Sequence, residues 1–274
     1  MKEISQQEIR PCLLGILEFI DKVCKDNNIR YFLSGGTLLG AARHKGFIPW
    51  DDDIDIMMLR DDYNRLFEVC PKDSRYALLN CKNTPHFPYA YGKAIDKKTI
   101  KIEPVRKSSQ LIGLDVDIFP IDSLPDDDDE TEKFYLEIAK MSRRLSLQLS
   151  SYGKGASLSR TIARNIRLFL LRISEKIGIT SVDKCTNKFD ILAQKYNQSQ
   201  TLYCGVTSIS HYGIKEKNLK SNYENSVKVT FEGKSYPAPK GYCDYLAQLY
   251  GKDYMELPPI EQRQTHHHYK AYWK

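Results

Sequence analysis

The chain has 274 residues, 41% of them hydrophobic and 28% charged, with a formal net charge of +6. Those values fit a soluble globular chain long enough to bury one large core or two small ones. No apolar run reaches bilayer-crossing length and the opening MKEISQQEIR lacks the apolar centre of a signal peptide, so a cytoplasmic location is expected.

Seven cysteines without a CxxC spacing argue against a zinc site or a disulfide framework, and read as reduced thiols filling the core. The charge is uneven. Between Lys140 and Lys176 nine Lys or Arg stand against one acid, Glu175, so this stretch carries +8 and the remainder sums to −2. One surface, rather than the whole protein, is basic.

In chain order, residues 5 to 26 predict an amphipathic helix with Ile9, Leu13, Ile16, Leu17, Ile20, Val23 and Cys24 at helical spacing, ended by Asn27 and Asn28. Ile29 to Leu33 reads as a buried strand feeding Gly35 and Gly36, and Thr37 to Ala42 as a short helix beginning right after them. Glycines between a strand and a helix let the backbone approach a ligand and offer it free N–H groups. Alone, a glycine pair is more simply a tight turn.

Pro49 to Met57 reads as an acidic strand. Side chains alternate, so Asp51, Asp53 and Asp55 share one face while Asp52, Ile54 and Ile56 share the other. The apolar face packs such a strand into a sheet, and carboxylates crowded on the opposite face repel unless a cation lies between them. Their hard oxygens suit Mg²⁺ or Mn²⁺. Arg60 to Cys70 is predicted helical and stopped by Pro71, and Tyr76 to Ile102 suggests strands and loops around the aromatic patch His86 to Tyr91. Gly113 to Ile121 is a second acidic strand, in which Asp115 and Asp117 alternate with Leu114, Val116 and Ile118. Asp117 is the choice for a third ligand, with Asp115 as the alternative.

Asp126 to Glu130 follow Pro125 and read as the acidic start of a helix, complementing its positive end, rather than as ligands. That helix runs over roughly 127–150. After a break at Tyr152 to Gly155, Ser157 to Ile177 forms the next, with Ile162, Ile166, Phe169, Ile173 and Ile177 on one stripe and Arg160, Arg164, Arg167, Arg172 and Lys176 largely off it. It suits either a solvated helix packing its stripe on the protein or a basic helix resting on an anionic membrane. No nucleic-acid motif accompanies the charge, so no nucleic-acid partner is expected. Residues 180 to 197 predict a helix, Leu202 to Ile209 and Val227 to Phe231 strands, Tyr236 to Pro239 a rigid connection, and Tyr242 to Tyr250 a helix ending at Gly251. Arg263 with His266 or His267, at near-helical spacing, reads either as a phosphate contact or as plain surface.

Taken together, SGGTLLGAARHKGFIPWDDDIDI, LDVDIFPID and the terminal block FEG…YPAPKGYCDYLAQLYG…ELPP resemble the LicD-type phosphotransferases, related to the fukutin group, within the nucleotidyltransferase-like fold. The resemblance implies an α/β (α+β) nucleotidyltransferase-like core with a small mixed sheet, flanking helices and a helical insertion. Residues 1–125 would form the catalytic core, 126–200 a basic helical segment facing membrane or acceptor, and 201–274 would complete the domain. The implied reaction moves a phosphorylated alcohol, most typically phosphocholine from CDP-choline, onto a hydroxyl of a cell-surface glycan precursor, expected to be lipid-linked, and releases CMP.

On that likeness Gly35, Gly36 and Thr37 would contact the donor. Asp53, Asp55 and Asp117 would carry catalysis and hold the metal, with Asp51 as a further ligand and Asp117 able to accept the acceptor's proton. Arg43, His44 and Lys45 match the family's basic stretch, and Arg43 or Lys45 would steady the diphosphate. Trp50, Tyr89 or Tyr91 would face a quaternary ammonium, and Arg263 and His267 a phosphate. Peripheral contact with the inner face of the membrane through 157–177 goes with this reading. Its rivals are a nucleotidyltransferase moving NMP from an NTP to a sugar or protein, and a non-catalytic membrane-surface protein.

Overall fold

In the computed structural model, which describes residues 1–71, 73–102, 112–150, 152, 158–263 and 269–274, the first helix is α1 (Gln6–Asp26). Ser5 opens it: its N–H donates to Glu8 Oε2 at 2.9 Å in a capping box. α1 buries the expected stripe together with Cys12. The strand that follows, β1 (Phe32–Leu33), is shorter than its apolar run suggests. α2 (Gly35–His44) begins on the glycine pair rather than after it, with Ser34 at its N-cap. β2 (Asp55–Leu59) starts only at the last acid of the run, so Asp51 to Asp53 form a loop instead of the expected strand. Pro49 and the closely spaced aspartates favour turn geometry there, and only from Asp55 on does a sheet neighbour take up the backbone.

α3 (Arg60–Val69), β3 (Tyr76–Leu79), β4 (Gly92–Asp96) and β5 (Thr99–Ile102) come next, followed by the long β6 (Asp115–Leu124). Three helices follow: α4 (Asp128–Leu149), α5 (Leu158–Lys176) and α6 (Val182–Ala193). The Asp127 side chain accepts the Glu130 N–H and caps α4, so the acidic run there is a helix start. β7 (Tyr203–Val206), β8 (Asn218–Leu219), β9 (Ser226–Phe231), β10 (Lys234–Pro239), α7 (Tyr242–Tyr250) and β11 (Lys270–Trp273) complete the chain. Tyr236 to Pro239 is therefore not a bare connection but part of β10, paired antiparallel with β9. Glu232 and Gly233, with φ of 47° and 74°, make the turn between them, and a two-stranded ribbon tolerates the prolines on its outer side.

The main sheet has seven strands, in the order β1-β2-β6-β4-β3, with β7 on β6 and β8 on β7. β6 is its spine. Its first half pairs with β2 and β4, its last residues pair with β7, and only the β2–β6 ladder is parallel. α1 packs on β4 and β6, while α3 covers β2 and β6. A second apolar cluster joins Phe134, Tyr135, Ile138 and Leu145 of α4 to Cys185 and Phe189 of α6 and to Leu124. A buried ion network ties it to the sheet: Arg60 donates to both Asp122 oxygens at 2.7 and 2.6 Å and to Asp190 at 2.8 Å. α5 breaks the pattern. Its apolar stripe faces away from the protein, and among its described side chains only Leu168 is fully buried. No helix among the described residues is long and apolar enough to cross a membrane. Of the cysteines, Cys12, Cys24, Cys185 and Cys204 are buried as expected, Cys70 and Cys81 are half-buried, and Cys243 is exposed.

Candidate active site

Two neighbouring strands make the floor. Asp55 of β2 lies opposite Asp117 of β6, and the Asp117 N–H donates to the Ile54 carbonyl at 3.0 Å. Strands in one ladder lie about 5 Å apart, so the two acids singled out by alternation become cross-strand neighbours on one face. Thr37 Oγ1 accepts the Asp55 N–H at 2.8 Å, which binds the start of β2 to α2.

The N-terminus of α2 sits against these carboxylates. Gly35 has φ +48°, a conformation that would strain any other residue, and a Cβ there would lie 3.5 Å from Asp55 Oδ2. A Cβ on Gly36 would come within 2.9 Å of Asp51 Oδ2. The glycines thus allow a helix N-terminus, with its partial positive charge, to approach the acidic loop closely. Tyr245 of α7 props the turn: its hydroxyl accepts the Gly35 N–H and bonds to Ser34 Oγ, both at 3.2 Å.

Electrostatics separate the acids. Burial, then Asp53, Asp117 and Asp51, push the Asp55 carboxyl well above its ordinary range, with Lys93 opposing. Burial raises Asp117 to about 6, against the pull of Lys93. Asp115 goes the other way, because Lys101 and Lys93 outweigh its burial and hold it ionised. Lys93 is only 4% exposed and its ammonium bridges Asp115 and Asp117. It lies over the rings of Tyr89 and Tyr91, 4.6 and 5.5 Å from their centroids. Asp115 and Asp117 outweigh the burial that would strip its charge.

Above the floor opens a cleft of about 960 Å³, lined by Asp51, Asp53 and Asp55 together with Arg43 and Arg263. Burial, then the neighbouring Arg263, lowers the affinity of Arg43 for its proton, and both side chains line the cleft. Arg43 also braces the wall, donating to the carbonyls of Tyr254 and Glu256 at 3.0 and 2.8 Å. The rings of Trp50, Tyr212, Tyr250 and Tyr254 face the same space. The Arg263 guanidinium lies 5.7 Å from the centroid of Trp50, and the Tyr212 and Tyr250 hydroxyls are 3.1 Å apart. A smaller cavity beside the cleft holds Asp52, Asp115, Asp117, Lys101 and Tyr269, and Asp53 lines both.

Of the residues expected at the site, Gly36, Arg43, Trp50, Asp51, Asp53, Asp55 and Arg263 line one cleft. Gly35 and Thr37 stand behind it as supports for Asp55. Asp117 meets the others through Asp53 and the smaller cavity. His44 and Lys45 are not brought in. His44 accepts from Arg43 Nε at 3.0 Å, and Lys45 closes α2 with φ 62° while its ammonium donates to the Ala42 carbonyl. Helical geometry turns adjacent residues to different sides, so three consecutive bases cannot all point inward. Tyr89 and Tyr91 pack on Lys93 instead of facing the cleft, because β4 lies on the far side of β6. His267 lies outside the described residues. Lys93, Tyr212, Tyr250 and Tyr254 were missed by sequence reasoning. For Lys93 a signal existed, since a lysine on a strand next to an acidic strand invites pairing, but the register that places it opposite Asp117 is tertiary.

The donor set fits a hard divalent cation in kind: clustered carboxylates among which burial, then mutual repulsion, raises Asp55. Among the described residues no three acidic, imidazole or thiol side chains are gathered closely enough to hold an ion unaided. Mg²⁺ is commonly held by one or two carboxylates plus substrate phosphates and water, so Asp55 with Asp53 or Asp51 suffices as the protein's share. Asp117, already neutralised by Lys93, is the least available oxygen donor.

The fold is that of a mixed α/β protein in which a helix N-terminus stands over in-register carboxylates, beside a cleft that also holds two arginines. Sequence comparison narrows this. A family model described as the LicD/FKTN/FKRP nucleotidyltransferase domain matches residues 28–146. The chain is 32% identical, over 99% of its length and 99% of the relative's, to the lipopolysaccharide cholinephosphotransferase LicD of Haemophilus influenzae. It is 50% identical over 60 residues, 22% of this chain and 23% of the other, to an uncharacterized protein of Rickettsia prowazekii. It is 43% identical over 56 residues, 19% of this chain and 11% of the other, to the human ribitol 5-phosphate transferase FKRP. The chain belongs to the LicD family.

Proposed function

We propose that this protein is a LicD-type phosphotransferase that moves phosphocholine from CDP-choline onto a hydroxyl of a glycan precursor and releases CMP. The observation that carries the reading is the lining of the large cleft: Asp51, Asp53 and Asp55 with the guanidiniums of Arg43 and Arg263 suited to a metal-bound diphosphate, beside the rings of Trp50, Tyr212, Tyr250 and Tyr254 suited to a quaternary ammonium. The full-length likeness to a cholinephosphotransferase supports the same donor.

In the reaction the acceptor oxygen attacks the phosphorus that bears choline, that phosphorus parts from the bridging oxygen, and CMP leaves with the bond pair. Arg43 and Arg263 orient the diphosphate, and the α2 N-terminus adds positive potential at Gly36. Trp50, Tyr212, Tyr250 and Tyr254 enclose the trimethylammonium, replacing the expected wall of Tyr89 and Tyr91. The acceptor's proton passes to Asp117, which lines the smaller cavity together with Asp53 and whose carboxyl is pushed up to about 6 by burial. A bound Mg²⁺ or Mn²⁺, held by Asp55 with Asp53 and Asp51, would supply charge neutralisation on the diphosphate and the leaving CMP. A cytoplasmic location at the inner membrane face, with a lipid-linked glycan as acceptor, accompanies this reading.

The test is CMP release from CDP-choline by wild type and by Asp53→Asn and Asp55→Asn, with EDTA and with Mg²⁺ restored. Loss in both variants and in EDTA is expected. Unchanged turnover in either variant sinks the site, and pyrophosphate release from an NTP in place of CMP turns the reading to nucleotidyl transfer. Among CDP-alcohols, CDP-ribitol or CDP-glycerol outpacing CDP-choline would reassign the donor.

A further inference from the structure

A surface helix of a globular protein ordinarily turns its apolar stripe inward and its charges to water. α5 instead turns its apolar stripe to water as well. At about 100° per residue, Ile162, Ile166, Phe169, Leu170, Ile173 and Ile177 fall within an arc of roughly 100°. All six are exposed, at 52%, 54%, 57%, 59%, 41% and 64%. Leu168, which anchors the helix at 1% exposure, points about 150° away from the middle of that arc. The stripe therefore faces outward, and Ile179 just beyond the helix extends it at 65% exposure. Apolar side chains massed in this way on one exposed face signal a surface that is covered in use.

The charges beside the stripe indicate what covers it. Arg167 and Lys176 are exposed on α5, and Lys140, Arg143 and Arg144 are exposed on α4, which packs against it. The stretch from Lys140 to Lys176 holds nine bases and one acid. A second copy of this chain would bring the same basic belt against itself across a two-fold interface, and like charges facing each other disfavour it. An anionic bilayer matches both features, since acyl chains receive the stripe while headgroups meet the bases. The helix is too charged and too short of apolar residues to cross the membrane.

We propose that α5 is a membrane-docking helix that lies in the plane of an anionic lipid surface, with Ile162, Ile166, Phe169, Leu170, Ile173 and Ile177 in the acyl boundary and Arg167 and Lys176 at the headgroups. Among the described residues none of α5 lines the cleft, so docking is a function separate from the chemistry and its test does not depend on the donor.

Flotation of the full chain with vesicles of phosphatidylglycerol and phosphatidylethanolamine, and with vesicles of phosphatidylcholine alone, measures it. Wild type should float with the anionic vesicles and not with the neutral ones, and should be released at about 0.5 M salt. The double variant Phe169→Ser/Leu170→Ser should lose roughly tenfold or more in partitioning, and Arg167→Glu/Lys176→Glu a comparable factor. Both should keep the wild-type melting temperature and CMP release on a soluble acceptor, because these side chains touch neither core nor cleft. Failure of wild type to float, equal binding to neutral vesicles, or flotation of both variants like wild type overturns the proposal. So does a wild-type dimer in sedimentation that the Ser variant dissolves, which would assign the face to a second copy.

Discussion

Replacing Asp55 by Asn should abolish CMP release and at the same time make the metal-free protein more stable. Asp55 lies in register with Asp117, and its carboxyl is raised by burial and then by Asp53, Asp117 and Asp51. With about 5 Å between neighbouring strands and an effective dielectric of about 20, one such like-charge pair costs about 3 kcal/mol. Lys93 offsets part of this, so Asp55→Asn should gain about 1–2 kcal/mol at neutral pH. For a chain of this size that is a rise in melting temperature of about 2–8 °C. Because the native carboxyl binds its proton more tightly than the unfolded one, wild-type stability falls as pH rises from the ordinary carboxylate range through the raised value. The gap between variant and wild type should therefore close on acidification. Thermal melts in EDTA from pH 4 to 8 check this. Mg²⁺ should then raise the melting temperature of wild type more than that of the variant. A variant that melts below wild type in EDTA at pH 7, or gains as much from Mg²⁺, refutes the account of Asp55 as an uncompensated metal-site carboxylate.

Lys93→Met strands Asp117 without its cation while Asp115 keeps Lys101, and should cost about 3–5 kcal/mol in urea unfolding, as breaking buried pairs does. Lys93→Arg losing as much stability as Lys93→Met would show that volume rather than charge decides. Glu216 has a buried Oε2 without a hydrogen-bond partner among the described residues, and burial pushes its carboxyl up to about 8. Its folded value lies above the unfolded one, so stability should drop by up to about 5 kcal/mol as pH rises from about 4.5 through 8. Glu216→Gln should flatten that slope in denaturation curves, and an unchanged slope would show that Glu216 is ionised in the fold. Arg60→Met leaves buried Asp122 with only the neutral donors Asn197 and Thr207, and Asp190 with only Lys82 at 3.5 Å, and should destabilise by about 3–5 kcal/mol with the loss centred on α6, read as faster amide exchange there. Exchange spread evenly over the protein would separate that network from the docking of α6.

Much of the site was legible in the sequence because its parts are local. Strand alternation put Asp55 on an acidic face, the apolar run after Asp117 favoured that residue as its partner from another strand, and a glycine pair before a helix marked where a backbone must come close. Helix boundaries were equally local: the Ser5 cap, the Asp127 cap and Gly251 follow from short-range hydrogen bonding and backbone preference. What the sequence could not determine is what depends on distant pairing. The parallel ladder that sets Asp55 against Asp117, and the antiparallel one that sets Lys93 beside Asp117, join segments far apart in the chain. So does the cleft wall, whose Tyr212, Tyr250 and Tyr254 arrive from the C-terminal third. Periodicity identified an apolar stripe on residues 157–177 but not its direction. A stripe reads the same whether it faces a core or leaves one, and only the folded chain, in which Leu168 is buried and the stripe exposed, shows that it faces outward.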